Sequence, residues 1–349
     1  MHFSNVIWRQ LFNTIVICMI YKIEDISNAT IIVAPSYKYE DLLELRSLKK
    51  FCKELSLLQN KEQFQFYFFW GIITEEAVLL NETANYSREK NNVLFWIGDE
   101  EGYIPSSAVF SRFNYIFKVH LKDKDAIDIK NGINIFRPGL YHFPLLTIDD
   151  VPELPILPFC ERKYSIYFGG NLNKNRVPFY VALNKKVSLL ARLDNFLLKY
   201  NLRGGDRLYE LCFKNKSFDI SYLYDNACIK FYSGFNNGDN YNKYAHFLQN
   251  SKIVLSPKGF HSTECFRLYE AMRQGCIVVT ESLPHVWCYK DAPCITIDSW
   301  KNLSSNLFNN AQVLNKWSPN MIRKYYDERL SVKGIANYVG SILNNTIQF

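Results

Sequence analysis

"SKIVLSPKGFHSTECFRLYEAMRQGCIVV", residues 251–279, decides how this chain is read. Ile253–Ser256 is a short apolar strand, and Pro257-Lys258-Gly259 opens a loop. Ser262 or Thr263 supplies a helix N-cap, and the spacing predicts a helix from there to about Gln274. Gly275 stops that helix, and Cys276–Thr280 returns as a second apolar strand. The unit is strand, loop, helix, strand, with the loop aimed at a helix N-terminus. Such a terminus offers unpaired backbone N–H groups and a partial positive charge, which phosphate satisfies. Lys258, Gly259, Ser262 and Thr263 strengthen that preference. The pattern is neither a Walker loop nor a GxGxxG fingerprint, so neither generic phosphate motif applies.

Within the helix, Cys265, Leu268, Tyr269 and Met272 recur at helical spacing and form one apolar face. Arg267, Glu270 and Gln274 fall on the other side, so Arg267 and Glu270 point together. Two readings follow. In one they are a solvated ion pair worth about 0.2–0.5 kcal/mol. In the other Arg267 grips a diphosphate with its planar fork while Glu270 accepts from ribose hydroxyls.

Outward from this stretch the chain alternates strands and helices. "ATIIVAP" (29–35) reads as a buried parallel strand, and 39–58 as a helix. "FQFYFFWGII", "NNVLFWIGDEEGYIP" and "FNYIFKVHL" supply further strands. Five prolines between Phe136 and Phe159 mark a linker. Beyond it "KYSIYFGGN" opens a second sheet, "VALNKKVSLLARLDNFLLKY" reads as one long helix, and "ACIKFYSG", "YNKYAHFLQN" and "APCITIDSW" continue the alternation. The expectation is an α/β protein of two lobes: residues 1–150, residues 160–325, and a C-terminal helix in 326–349 that packs back on the first lobe.

The net charge of +7 over 349 residues comes without a long basic block, so a nucleic-acid partner is not indicated; an acidic ligand or a membrane surface suits it. Nine cysteines, scattered and without CxxC pairs, suggest a reducing compartment and no zinc site. "LFNTIVICMIY" (11–21) is short for a spanning helix, which needs about 20 apolar residues, and is bracketed by charges. It reads as a buried or membrane-surface helix, with a membrane anchor over residues 6–21 as the alternative.

"YNKYAHFLQNSKIVLSPKGFHSTECFRLYEAMRQGCIVV" (241–279) resembles the signature of the exostosin family of inverting glycosyltransferases. A tyrosine-led helix, Ser-Lys before an apolar strand, a Pro-basic-Gly loop, then Ser/Thr, Arg, Glu-Ala and Gly-Cys follow in that order. The resemblance extends more weakly to "ERKYSIYFGGNLNKNR" (161–176) and covers about Arg162 to Trp300. It implies a GT-B fold, two Rossmann-like lobes facing across a cleft, with a nucleotide-sugar donor, such as a UDP-sugar, held by the C-terminal lobe. It implies a donor site formed by Gly169, Gly170, Asn171, Arg176, Lys258, Gly259, Ser262, Thr263, Arg267 and Glu270. An ordinary strand-to-helix turn explains 169–176 equally well. The first lobe matches in texture alone and is shorter than many relatives, and Leu255-Ser256 stands where those often have Leu-Cys.

An inverting transfer needs a base to take the acceptor hydroxyl proton. In a GT-B enzyme that base comes from the first lobe. Asp99 and Glu100, with Glu101, follow an apolar strand directly, where open α/β sheets place ligands; a solvated acidic turn is the bland alternative. His142 is the second candidate base, though a histidine among aromatics is more often packed. No Asp-x-Asp of the metal-dependent GT-A type appears, so no tightly bound metal or cofactor is expected, while a divalent ion from solution remains compatible. The expected partners are a nucleotide sugar and a glycan acceptor, in the cytoplasm or at a membrane surface. Rival readings are a retaining or fucosyltransferase-like GT-B enzyme, a non-catalytic nucleotide or glycan binder, and a structural partner in a polymerase complex.

Overall fold

A computed structural model describes residues 19–22, 29–36, 45–58, 60–84, 90–147, 150–184, 186–200, 205–234, 237–303 and 311–344. The chain divides into two compact units: Met1–Asp149 with Pro284–Lys290 and Glu328–Phe349, and Asp150–Leu283 with Asp291–Asp327. Each contains one six-stranded, mainly parallel sheet, so the α/β class is observed in both.

In the first unit the strands are β1 (Met19–Lys22), β2 (Ala29–Val33), β3 (Phe64–Trp70), β4 (Asn91–Trp96), β5 (Tyr115–Lys118), a hairpin of β6 (Asp128–Lys130) and β7 (Ile133–Ile135), and β8 (Leu140–His142). The main sheet runs β1-β2-β3-β4-β5-β8, with β1 antiparallel to β2 and every other pair parallel. A parallel strand covered on both faces must be apolar on both, which is why β3 reads FQFYFFW without alternation. Phe68, Phe95 and Phe117 stack across three strands at 4.8 and 5.2 Å. Phe51 of helix Leu45–Leu55 meets Phe95 edge-on at 5.3 Å. Helix Val332–Leu343 returns to this unit and packs on helix Leu45–Leu55.

Two expectations change here. Of the apolar stretch 11–21 only Met19–Tyr21 is described, and it stands in β1 rather than in a helix; residues 6–18 lie outside the described residues. The proline-rich stretch 136–159 is not wholly linker, because β8 lies inside it as an edge strand of the first sheet. Among the described residues no helix is long and apolar enough to cross a membrane.

The second unit has β9 (Tyr164–Asn171), β10 (Phe218–Asp219), β11 (Ala227–Tyr232), β12 (Ser251–Ser256), β13 (Ile277–Thr280) and β14 (Cys294–Thr296) in the order β10-β11-β9-β12-β13-β14. From β9 the chain crosses to β11 on one side and then to β12 on the other. That reversal makes the ends of β9 and β12 a topological switch point, the place where open α/β sheets bind ligands. The far ends of these strands are clamped by Arg162, buried, whose Nη1 donates to Ser251 O at 2.6 Å and whose Nη2 donates to Gln274 O at 3.0 Å.

The long helix expected over 181–200 is two helices, Val177–Leu183 and Leu189–Lys199. Asn184 Oδ1 accepts from Lys186 N at 3.1 Å and Ser188 Oγ accepts from Ala191 N at 3.3 Å. Short polar side chains that satisfy nearby N–H groups end one helix and cap the next.

Candidate functional site

The opening stretch folds as a strand, loop, helix and strand, with one boundary moved. Helix Phe266–Arg273 begins after Cys265, which is extended at φ −142°, ψ 155°, and neither Ser262 nor Thr263 caps it. Their hydroxyls are used in the loop instead. Ser262 Oγ accepts from Glu264 N at 3.1 Å, and Thr263 Oγ1 donates to Ser282 O at 3.1 Å. The C-terminus is as the glycine requires: Gly275 has φ +67°, Gly275 N donates to Met272 O and Cys276 N to Ala271 O, both at 2.9 Å. These two bonds are a Schellman motif, which needs a left-handed residue at that position. A Cβ on Gly275 would also lie 2.7 Å from Pro319 O.

The three loops at this end of the sheet are tied together by backbone and side chain. Arg176, buried, donates from Nη1 to Asn171 O at 3.0 Å and from Nε to Lys258 O at 3.2 Å. Asn173 Oδ1 accepts from Arg176 N at 3.0 Å, and Asn175 Nδ2 donates to Phe260 O. Lys258 N donates to Glu281 Oε2 at 3.0 Å, and Gly259 N donates to Ser262 O at 2.8 Å. Arg176 and Asn175 therefore stitch the loop after β9 to the loop after β12, in which Lys258 and Gly259 are half-buried.

Arg267 and Glu270 do not form a solvated pair. Glu270 is 3% exposed and its Oε2 accepts from the Tyr244 hydroxyl at 2.7 Å. Burial pushes its carboxyl up, against the Tyr244 hydrogen bond and the charges of Arg273 and Arg267. Burial, and then the nearby Glu270, drive the Tyr244 phenol well up as well. Arg267 lies with its guanidinium 4.8 Å from the Phe168 ring centre, and its Nη2 donates to Gly169 O at 2.7 Å. Its Nε is buried with no hydrogen-bond partner. Glycine at 169 and 170 lets these groups approach. A Cβ on Gly170 would stand 2.4 Å from Arg267 Nη2, and one on Gly169 would stand 2.2 Å from the Tyr167 hydroxyl. That hydroxyl is likewise buried and without a partner.

The expected donor residues Gly169, Gly170, Asn171, Arg176, Lys258, Gly259, Ser262, Thr263, Arg267 and Glu270 thus all stand on β9, on the loops after β9 and β12, or on the helix that follows. Sequence reasoning assigned no role to Tyr244, Tyr167 or Glu281. Tyr244 had a signal, since it lies on the tyrosine-led helix Tyr241–Gln249 of the quoted stretch.

In the first unit the acid loop follows the C-terminal end of β4, and its acids differ in setting. Asp99 is 0% exposed, its Oδ2 lies 2.7 Å from Lys118 Nζ, and Lys118 is also 0% exposed. Oδ2 accepts further from Tyr103 N at 2.9 Å. Burial pulls the Lys118 ammonium down, against the charge and hydrogen bond of Asp99. Gly102, at φ +66°, turns the loop so closely that a Cβ would stand 2.0 Å from His120 O. Asp99 thus anchors the turn and Glu100 is the exposed acid of the pair. His142 is 4% exposed, with Nδ1 3.6 Å from Cys288 Sγ and its ring 6.0 Å from that of Tyr289, a packed setting. Among the described residues no group of three or more His, Cys, Asp or Glu side chains could hold a metal ion.

The architecture is mixed α/β, with the strand-order reversal of the second unit at β9 and β12. Residues 233–325, which include the helix of Arg267 and Glu270, match the family model described as the RXYLT1 C-terminal domain. No curated protein sequence matches the chain. Solved structures similar to it include sucrose-phosphate synthase from Thermosynechococcus elongatus, at 10% identity over 89% of this chain and 80% of that one, with a TM-score of 0.39. They also include WaaG, a glycosyltransferase involved in lipopolysaccharide biosynthesis, at 11% identity over 84% and 95%, TM-score 0.41. A glycosyltransferase from Rickettsia africae ESF-5 aligns at 8% identity over 88% and 83%, TM-score 0.42.

Proposed function

We propose that the protein is a glycosyltransferase of the exostosin-like, GT-B type that moves a sugar from a nucleoside diphosphate donor, a UDP-sugar, to a hydroxyl of a glycan acceptor with inversion. The observation that carries this reading is the placement of Arg267 and Glu270 on one helix at the switch point between β9 and β12, the cation half-exposed and the carboxylate buried and hydrogen-bonded. A guanidinium there suits a diphosphate, because its planar fork meets two oxygens at once. Glu270, held by Tyr244, is oriented as an acceptor for ribose hydroxyls. The family-model match over 233–325 supports the same assignment.

In the transfer, the departing diphosphate gains negative charge, which Arg267 and Lys258 would offset. The acceptor proton goes to a carboxylate of the first unit. Glu100 takes that role in this proposal because it is exposed, whereas Asp99 holds Lys118 and positions the turn. The acceptor is a growing glycan of a surface polysaccharide or glycoprotein.

A thermal-shift screen of the full chain against nucleotide sugars tests the reading, since a ligand bound by the folded state alone raises the melting temperature. A nucleoside diphosphate sugar should raise it, and the same donor should be hydrolysed slowly without acceptor. Binding without any turnover would make the protein a non-catalytic binder, and no shift with any nucleotide sugar would overturn the donor site. Product anomer configuration by NMR then separates inversion from retention.

A further inference from the structure

Helix Leu189–Lys199 in the second unit carries apolar residues on both sides. Its inner side holds Ala191, 4% exposed, with Asp194 at 0%. On the outer side Leu189 is 83% exposed, Leu193 48%, Phe196 51% and, one residue past the helix, Tyr200 54%. These positions are spaced i, i+4, i+7 and i+11, so at roughly 100° per residue they fall within about 40° of one line along the helix. The Phe196 and Tyr200 rings lie 4.9 Å apart, and the adjacent helix Gly205–Cys212 adds Leu211 at 63% exposure. A helix facing only water would carry charge along that line. This one exposes leucine, phenylalanine and tyrosine.

The stretch of sequence that carries the stripe is strongly basic. Residues 185–216 contain eight Lys or Arg (Lys185, Lys186, Arg192, Lys199, Arg203, Arg207, Lys214, Lys216) and three acids (Asp194, Asp206, Glu210). One of those acids, Asp194, is buried, while Lys186, Arg192, Arg207, Lys214 and Lys216 are exposed. The excess of five positive charges over residues 185–216 of the sequence is most of the net +7 of the whole chain. A second copy of the same face would set this excess against itself. An anionic lipid surface complements it: apolar side chains enter the headgroup boundary, tyrosine sits at the interface, and long basic side chains reach the lipid phosphates.

We propose that the outer face of helix Leu189–Lys199 seats the protein on an anionic lipid surface. The inference is independent of the sugar-donor reading and concerns a different part of the second unit.

Co-sedimentation of the full chain with vesicles tests it. Vesicles of phosphatidylcholine mixed with phosphatidylglycerol should bind the protein about tenfold or more better than phosphatidylcholine alone, with binding weakened by added salt. The double variant Leu193→Asp/Phe196→Asp should lose that binding by about tenfold or more while its melting temperature stays that of the parent. The Leu193→Ser/Phe196→Ser pair repeats the test without new charge. Leu57→Asp, which alters an exposed leucine of the first unit, should bind as the parent does. The proposal is overturned if the parent ignores anionic vesicles, or if the variants bind them as well as the parent. It is also overturned if sedimentation equilibrium shows a dimer that the double variant dissolves, since the face would then serve self-association.

Discussion

The Tyr244 hydroxyl donates to Glu270 Oε2 at 2.7 Å, across 26 residues of sequence. That bond converts Glu270 from a surface helix residue into a buried, oriented acceptor. Tyr244→Phe should therefore cost about 1–3 kcal/mol, the penalty of leaving a buried carboxylate without its donor. Chemical denaturation measures that cost. Titration with the nucleoside diphosphate should show weaker binding in the same variant, and equal stability and affinity would remove Tyr244 from the site.

Arg267→Ala should leave the fold intact and weaken diphosphate binding by roughly tenfold to a hundredfold, as expected for a charge-assisted hydrogen bond of about 1.5–3 kcal/mol. Arg267→Lys should recover little, because an ammonium lacks the planar fork. Calorimetric titration with the diphosphate distinguishes these outcomes.

Gly170→Ala tests the same site without touching the cation. Its new Cβ would lie 2.4 Å from Arg267 Nη2, the end of a movable side chain, so the guanidinium shifts and the strand stays. Diphosphate affinity should fall toward that of Arg267→Ala while the melting temperature changes little. Unchanged affinity would show that the position of Arg267 is not critical.

The Asp99–Lys118 pair predicts a non-additive result. Asp99→Asn leaves a buried ammonium with no counter-charge and should destabilise the protein by about 3–5 kcal/mol. Adding Lys118→Met should restore much of the loss, whereas additive losses in denaturant would contradict the pairing. Glu100→Gln should instead spare stability and donor binding and abolish transfer.

Asp194 gives a pH dependence. Both its carboxylate oxygens are buried without a hydrogen-bond partner, and burial, then the charge of Asp206, push its carboxyl from 3.8 to about 6. Between those values the folded state holds the proton more tightly than the unfolded state, so this group's contribution to stability falls as pH rises. The penalty is complete above the folded value and absent below the unfolded one. Asp194→Asn should thus melt higher than the parent at pH above about 6, by roughly 2–4 °C for each kcal/mol relieved, with the two curves meeting near pH 4. A constant difference across that window would contradict it.

Much of the second unit was legible because its signals are local. The apolar run 253–256, the Pro-Lys-Gly loop and Gly275 state a strand, a turn and a helix stop through backbone preferences that neighbouring residues impose. The start of the helix was not legible. Ser262 and Thr263 are good caps in isolation, but Ser262 binds Glu264 N and Thr263 binds Ser282 O, the latter a partner brought near only by β13. The break between Leu183 and Leu189 was missed for a related reason, since leucine periodicity on both sides outweighed the brief polar signal of Asn184 and Ser188.

By itself the sequence determined the alternation of strands and helices, the strand-loop-helix-strand unit, and which of its residues carry charge. Which of those charges face water depends on packing between distant segments. Arg267 and Glu270 share one helix and one spacing, yet Phe168 and Gly169 sit against the first and Tyr244 holds the second inside. Asp99 and Glu100 are adjacent, yet Lys118 draws one into the interior and leaves the other exposed. Burial is set by which distant segments pack around a side chain, and that information is spread over the whole chain rather than held at the residue.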